Sequence, residues 1–174
     1  MTTDKHPAKT WKFWVSRAME TLIALGLAAF IITIWEYRDA EQRASIPASE
    51  WWIVNDIYVP DHEVGSNPDM IYDREILVAH RGFWVAEVQR QDPNQRKGVF
   101  FAACTGSGVN DYDVDEDIPN DTVTWEWFFG RPCAVPPGTY RIQLTKDMTV
   151  PGYPVKQSKN YSNTFRVLPR GEKP

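Results

Sequence analysis

The strongest constraint on this chain is an apolar run close to its N-terminus. Thr21–Trp35 holds fifteen residues without a charge, and Ala18–Tyr37 extends the run to twenty residues with only Glu20 and Glu36 charged. A bilayer core about 30 Å thick needs about 20 helical residues to cross it. We therefore predict that Ala18–Tyr37 spans a membrane as one helix, with the lipid bilayer as its partner.

The charges that flank this run predict its orientation. The N-terminal flank, residues 1–17, carries Asp4 as its single acid against four basic residues, namely Lys5, Lys9, Lys12 and Arg17. Basic flanks remain on the cytoplasmic side, so residues 1–17 are predicted to form a cytoplasmic tail. The chain after Tyr37 is then periplasmic or extracellular, anchored in the inner (cytoplasmic) membrane.

Two alternatives to a membrane anchor remain open, a cleaved signal peptide and a buried helix of a soluble protein. A signal peptide needs a small-residue cleavage site after its apolar core, and the residues that follow Trp35 are Glu36, Tyr37, Arg38 and Asp39. Ala24 and Ala28 form a small-xxx-small pair that could bring two helices together in a homo-oligomer. Chance spacing in an alanine-rich segment explains the pair equally well.

The chain beyond the apolar run has the composition of one acidic domain. Residues 36–174 contain 15 Lys and Arg against 21 Asp and Glu, a balance that disfavours nucleic-acid binding. Residues 38–49 are polar and predicted to form a stalk, residues 50–170 an ectodomain, and residues 171–174 a short tail. The length of the ectodomain suits a single hydrophobic core.

The ectodomain sequence predicts a mainly β fold. Short segments rich in β-branched and aromatic residues alternate with turn residues, which indicates about seven strands in a single β-sandwich. They lie at residues 51–59, 75–79, 83–88, 98–104, 122–129, 139–144 and 163–168. Arg81-Gly82 is interpreted as a bulge or break between two strands, and residues 105–121 and 145–160 as long loops.

The end of the chain carries a resemblance to a known class of domain. Pro136–Gln143 (PPGTYRIQ) and, after a loop, Ser162–Val167 (SNTFRV) resemble the last two strands of an immunoglobulin-like or fibronectin-III-like domain. This resemblance implies an immunoglobulin-like sandwich and brings no active site with it. The whole chain also resembles small membrane-anchored bacterial and phage proteins of unknown function, without a named family.

Cys104 and Cys133 are the two cysteines of the chain, and both lie in the predicted ectodomain. Two cysteines in an oxidising compartment are expected to form a disulfide. Two unpaired buried thiols, or a metal site completed by other residues, are the alternatives.

Catalytic and metal motifs are sparse. Alternate acidic residues could supply oxygen ligands to Ca²⁺, and they are Asp111, Asp113, Asp115 and Asp117. Glu116 and Thr122 occupy the positions where an EF-hand loop needs Gly and Glu, so a solvated acidic loop is the alternative. Gly106-Ser107-Gly108 lacks the glycine spacing of a nucleophile elbow and is interpreted as a turn. We predict neither a cofactor nor catalysis.

The sequence favours a binding surface in the second long loop. It combines basic side chains with a proline-stiffened aromatic tip, and its candidate partner-binding residues are Lys146, Tyr153, Lys156 and Lys159. Loops on a rigid sandwich often carry recognition, although an ordinary surface hairpin is the alternative. Trp84, Trp125 and Trp127 are predicted to lie in the core rather than to form a carbohydrate platform.

These observations support two functional hypotheses. The first is an extracytoplasmic binding or scaffolding module that contacts a protein or another envelope partner. The second is a carbohydrate-active or other envelope enzyme that uses paired Asp and Glu carboxylates with exposed tryptophans. A cleft with facing carboxylates would favour the enzyme.

Overall fold

The computed structural model describes residues 8–93, 98–114, 121–130 and 133–172, and it divides the chain into two compact units, Met1–Ser45 and Ile46–Pro174. Helix α1, Ala8–Ser45, makes up the described part of the first unit. Its segment Phe13–Ser45 is, by length and composition, long and apolar enough to cross a membrane. The predicted helix is thus confirmed, and it continues through most of the predicted stalk.

The second unit is built mainly from strands. After a single 3-10 turn at Ala48–Glu50, the described residues form nine strands and one short helix. The strands are β1 Trp52–Tyr58, β2 His62–Glu63, β3 Asp69–Ile76, β4 His80–Gln91, β5 Phe100–Tyr112, β6 Asp121–Thr124, β7 Gly138–Thr149, β8 Lys156–Tyr161 and β9 Phe165–Leu168, and helix α2 is Trp125–Phe129.

These strands form two sheets. The three-stranded sheet has the order β1-β3-β6, and the larger sheet has the order β2-β9-β7-β4-β5. Strand β8 also pairs with β7, because β9 contacts the first residues of β7 and β8 contacts the rest. All of these pairings are antiparallel except the short contact between β2 and β9.

One hydrophobic core joins the two sheets. Alternate residues of a strand point to the same face, and β4 follows this rule from His80 to Val88 while β7 follows it from Tyr140 to Met148. The three-stranded sheet adds the side chains of Trp52, Ile57, Met70, Tyr72 and Ile76. The mainly β class is therefore confirmed. Nine described strands differ from the seven expected, and the immunoglobulin-like arrangement stays a prediction.

Glycines that were predicted to mark a bulge, a break or a turn lie inside two long strands. Strand β4 continues through Gly82, where a Cβ would lie 2.5 Å from Lys146 Cε. Strand β5 continues through Gly106 and Gly108, so residues 105–112 are not a loop. A Cβ on Gly108 would lie 2.6 Å from the Trp84 ring. These glycines allow neighbouring groups to approach the strand closely, which explains their place in a strand interior.

The segment predicted as one strand over residues 122–129 is wrong in its second half. The strand ends at Thr124, and helix α2 follows. The Thr124 hydroxyl accepts a hydrogen bond from the Trp127 backbone N–H, which caps the start of the helix. Gly130, at a φ of 67°, ends it. A helical period therefore replaces the expected alternation over Trp125–Phe129.

Candidate functional site

A groove with a volume of about 360 Å³ opens beside strand β5. Strands β3, β5 and β6 and helix α2 supply its walls. Its lining residues are Tyr72, Arg74, Asn110, Tyr112, Thr122, Val123, Thr124 and Trp127. Aromatic rings, hydroxyl groups, one amide and one guanidinium therefore face the same space. A concave site that combines apolar surface with a few polar groups is the usual form of a small-ligand site.

The strand period places these side chains together. Tyr72 and Arg74 are two residues apart on β3, and Asn110 and Tyr112 are two residues apart on β5. Residues with this spacing share a face of the sheet, so each strand presents two side chains to the groove. The Arg74 guanidinium lies 4.9 Å from the centre of the Tyr72 ring, which holds the cation along the wall.

Trp127 lines the groove with a partly exposed aromatic ring. Helix α2 turns Trp125, Phe128 and Phe129 into the core and leaves 51% of Trp127 exposed. Its indole stacks on that of Trp84, with ring centres 5.5 Å apart and an angle of 18° between the planes. The prediction that three tryptophans lie in the core is therefore confirmed for Trp84 and Trp125 and wrong for Trp127.

A buried lysine side chain lies behind the groove wall. The Nζ atom of Lys146 lies 3.0 Å from the centre of the Trp52 ring and 3.2 Å from that of Tyr112. The residue is 1% exposed, and its Nζ has no hydrogen-bond partner among the described residues. Tyr112 belongs both to this cluster and to the groove lining, so the two sites share one ring.

Burial controls the protonation of Lys146. Removal from water, followed by the charge of Arg74, lowers the pKa of Lys146 from its ordinary 10.5 to about 6. The two ring faces oppose this shift, because a cation–π contact favours the ammonium form by about 0.5–2 kcal/mol. Desolvation of an ion costs several kcal/mol and therefore dominates. Burial therefore favours the neutral amine over the ammonium form at pH 7.

His80 completes this buried cluster. Its ring stacks on Tyr112, with centres 5.1 Å apart, and meets the Trp52 ring edge to face at 5.7 Å. Its Nδ1 lies 2.6 Å from the Val78 carbonyl oxygen, so this nitrogen carries the proton. Burial lowers the pKa of His80. Burial therefore favours the uncharged form of both bases.

The predicted binding loop at residues 145–160 is wrong in its conformation and in two of its four residues. Strand β7 extends to Thr149 and β8 begins at Lys156, so most of the segment is a hairpin. Lys146 and Lys156 are 1% and 8% exposed. They point inward because Lys146 continues the buried alternation of β7 and Lys156 pairs with buried Met148. Tyr153 and Lys159 are exposed.

The predicted calcium ligands fall partly within the described residues. Asp111 lies in β5, opposite Arg81 of β4, and Asp113 follows the end of that strand. Asp115 and Asp117 lie outside the described residues. Among residues that are described, no group of three potential metal ligands is found. Strand β5 replaces the first part of the expected acidic loop, and Ca²⁺ binding stays a prediction.

The two cysteines are joined in the structure. Cys104 of β5 and Cys133, which follows helix α2, have Cα atoms 5.9 Å apart, within the range that a disulfide requires. Close by, the indole N–H of Trp125 donates a hydrogen bond of 3.1 Å to the Cys133 carbonyl oxygen. These bonds fix the segment after α2 against β5, and thereby the helix that carries Trp127.

The comparisons with known proteins add no relative to this geometry. No protein-family model, curated protein or solved structure matches the chain. The immunoglobulin-like resemblance and the resemblance to bacterial and phage membrane proteins therefore stay predictions. The sequence patterns did not predict the groove. The spacing between Thr124 and Gly130 is, however, typical of a short capped helix and could have indicated that Trp127 is exposed.

Proposed function

We propose that this chain is a membrane-anchored binding protein whose ectodomain holds a saccharide in the groove at Trp127. The apolar helix would place residues 1–17 in the cytoplasm and the β domain on the opposite side of the membrane, as the flanking charges indicate. In that position the β domain, and with it the groove, lies in the same compartment as the components of the cell envelope. This proposal moves recognition from the hairpin at residues 145–160 to the opening beside β5.

The stacked indole of Trp127 is the observation that carries the proposal. Trp84 supports one face of this ring, so the indole is held in place while half of its surface stays in contact with water. The C–H groups on one face of a sugar ring are slightly positive and suit the negative face of an aromatic ring. A fixed indole also loses little conformational entropy when a ligand binds.

The polar lining of the groove suits the rest of a sugar. Hydroxyl groups of Tyr72, Tyr112, Thr122 and Thr124 and the amide of Asn110 can both donate and accept hydrogen bonds. Sugar hydroxyls need this mixture, because each is a donor and an acceptor at once. The volume of the groove, about 360 Å³, is typical of a pocket for a small ligand. A protein partner would instead need a contact surface of about 800 Å² on each side.

The enzymatic alternative has less support at this site. Glycoside hydrolysis uses two carboxyl groups about 5–10 Å apart on either side of the bond that is cleaved. The described residues that line the groove contribute no carboxylate. We therefore propose binding at the groove and assign no catalytic step to it.

A glycan-binding experiment tests this function. The full chain in detergent would be applied to an array of soluble oligosaccharides, and each bound oligosaccharide would then be titrated by tryptophan fluorescence. We expect Trp127→Ala to weaken binding about tenfold, which corresponds to about 1.4 kcal/mol. Tyr58→Ala, which truncates another exposed aromatic residue of the domain, should leave the affinity unchanged.

Two outcomes would contradict the proposal. One is a wild-type chain that retains no oligosaccharide of the array. The other is a Trp127→Ala variant that binds as tightly as the wild type while its thermal unfolding is unchanged.

A further inference from the structure

The edges of the two sheets differ in how they are protected against pairing with another chain. An edge strand presents unpaired backbone N–H and C=O groups, and proteins usually blunt it by short length, charge, proline or a bulge. Strands β2 and β6 are edges of two and four residues. Strand β8 carries the exposed Lys159.

Strand β1 is protected in a different way. A bulge interrupts its register between Val54 and Asp56, and Asp56 adds a charge. Near the end of the strand, the Asn163 backbone N–H donates a hydrogen bond of 3.2 Å to the Ile57 carbonyl oxygen. Part of this edge is therefore already occupied by the chain itself.

Strand β5 combines greater length with few of these devices. It has 13 residues, Phe100–Tyr112, and within the described part of the chain its only strand partner is β4. The register shift opposite Val88 and Gln89 leaves Ala103 as a bulge, and the pairing is regular from Cys104 onward. Asp111 is the single charged residue of the strand, which also lacks proline.

Apart from Asp111, the exposed side chains along this edge are small or apolar. Thr105, Ser107 and Val109 point away from the core at alternate positions, and the opposite face lies under helix α2 and Trp84. Cross-strand neighbours on β4 include exposed Phe83, which is paired with Val109. A further strand beside β5 would lie against Val109 and pair with the backbone groups of this edge.

We propose that strand β5 pairs antiparallel with β5 of a second copy of this chain, which would join the two larger sheets into one. Charge restricts where a second copy could pair. Residues 36–174 carry 21 acidic against 15 basic residues, so two copies repel each other over most of their surfaces. Pairing near Gly106 brings neutral residues together and keeps the two Asp111 side chains apart.

The apolar helix favours a second copy as the occupant. A helix that can span a bilayer confines copies of the chain to one membrane, which raises their effective concentration without any new contact. Main-chain hydrogen bonds of an added strand give affinity with little demand on side chains. The edge therefore suits pairing between the β domains of two copies that are anchored in the same membrane.

The oligomeric state of the full chain in detergent tests this inference, by light scattering with correction for bound detergent. We expect a wild-type dimer. Thr105→Lys with Ser107→Lys should raise the dissociation constant at least tenfold, because four lysines would meet at the junction. Asn55→Lys with Tyr58→Lys adds the same charge at exposed positions of the bulged edge strand β1 and should leave the dimer intact.

A second measurement remains informative if the double-lysine variant fails to fold. Ser107→Cys in native membranes should give a covalent dimer with a short bismaleimide reagent, whereas Asn55→Cys should give a monomer. A monomeric wild type would overturn the proposal. So would a dimer that persists in a folded Thr105→Lys, Ser107→Lys variant, since the interface would then lie elsewhere, for example at the Ala24 and Ala28 face of α1.

Discussion

The β7–β8 hairpin and helix α2 distribute their side chains in opposite ways. The hairpin buries two lysines, one of them between the rings of Trp52 and Tyr112. Helix α2 instead leaves an indole half exposed at the rim of a groove. In each case the backbone period decides the direction of the side chain, and residue type comes second. Trp127 at the third position of a five-residue helix faces outward, while Lys146 at an inward position of a long strand enters the core.

The two regions also depend on different interactions. Helix α2 is too short to be stable alone, so it depends on the strand beneath it and on the disulfide that follows it. The hairpin has its own ladder of main-chain hydrogen bonds between residues 143–148 and 156–161. Substitutions beneath α2 should therefore disturb the groove, whereas substitutions at Lys146 should change stability with little effect on the fold.

Removal of the disulfide should have the largest effect. The double variant Cys104→Ala, Cys133→Ala removes a link between two residues that are 29 positions apart in the sequence. We expect the free energy of unfolding to fall by about 3–4 kcal/mol in the chain-entropy model. Denaturant unfolding of the full chain in detergent, followed by tryptophan fluorescence, measures this. An unchanged midpoint would show that the segment after α2 is held by its other contacts.

Gly106→Ala should be nearly as destabilising. A Cβ at this position would overlap the Phe128 carbonyl oxygen and lie 2.9 Å from the Phe128 carbonyl carbon. The helix would have to move away from β5, and we expect a cost of about 3 kcal/mol with loss of groove binding. Ser107→Ala, one residue along the same strand, is the control and should stay within about 0.5 kcal/mol of the wild type.

Lys146→Met should stabilise the domain at pH 7, by on the order of 1–2 kcal/mol. The pKa of Lys146 is lowered from 10.5 to about 6, so between these values the unfolded chain binds a proton that the folded chain lacks. Stability contributed by this site therefore falls as pH falls from about 10 to about 6. The difference between variant and wild type should shrink towards pH 10 and be greatest near pH 6.

Thermal unfolding at pH 6, 7, 8, 9 and 10 measures this dependence. Lys159→Met is the matched control, because Lys159 lies exposed on the same hairpin and should show no such trend. A difference between Lys146→Met and wild type that is constant with pH would mean that the ring faces of Trp52 and Tyr112 keep Lys146 protonated in the fold.

Local patterns predicted much of the architecture. The uncharged run Thr21–Trp35 predicted the long helix, because its length and apolar composition are those of a helix that crosses a bilayer. Alternation predicted the strand centres at Tyr140, Ile142 and Leu144, and two isolated cysteines predicted the disulfide. Extending that alternation by two and four residues would have placed Lys146 and Met148 inward as well, but the charge of lysine led to the opposite prediction.

Other features depend on contacts between distant parts of the chain. Gly106 and Gly108 have the composition of a turn, and only the Phe128 backbone and the Trp84 ring above them explain why the strand continues. Strand β8 contains Lys156, Ser158 and Asn160, which have low strand propensity. It forms because β7 provides a partner.

The sequence by itself determined an apolar helix that can span a membrane, a mainly β domain and its disulfide, because each follows from short-range period, length or composition. Only the tertiary structure decided that Lys146 is buried, that Trp127 is exposed and that Tyr72, Arg74, Asn110 and Tyr112 line one groove. These outcomes depend on which strand lies beside which, and on what covers each face. Such information is carried by packing between residues that are far apart in the chain.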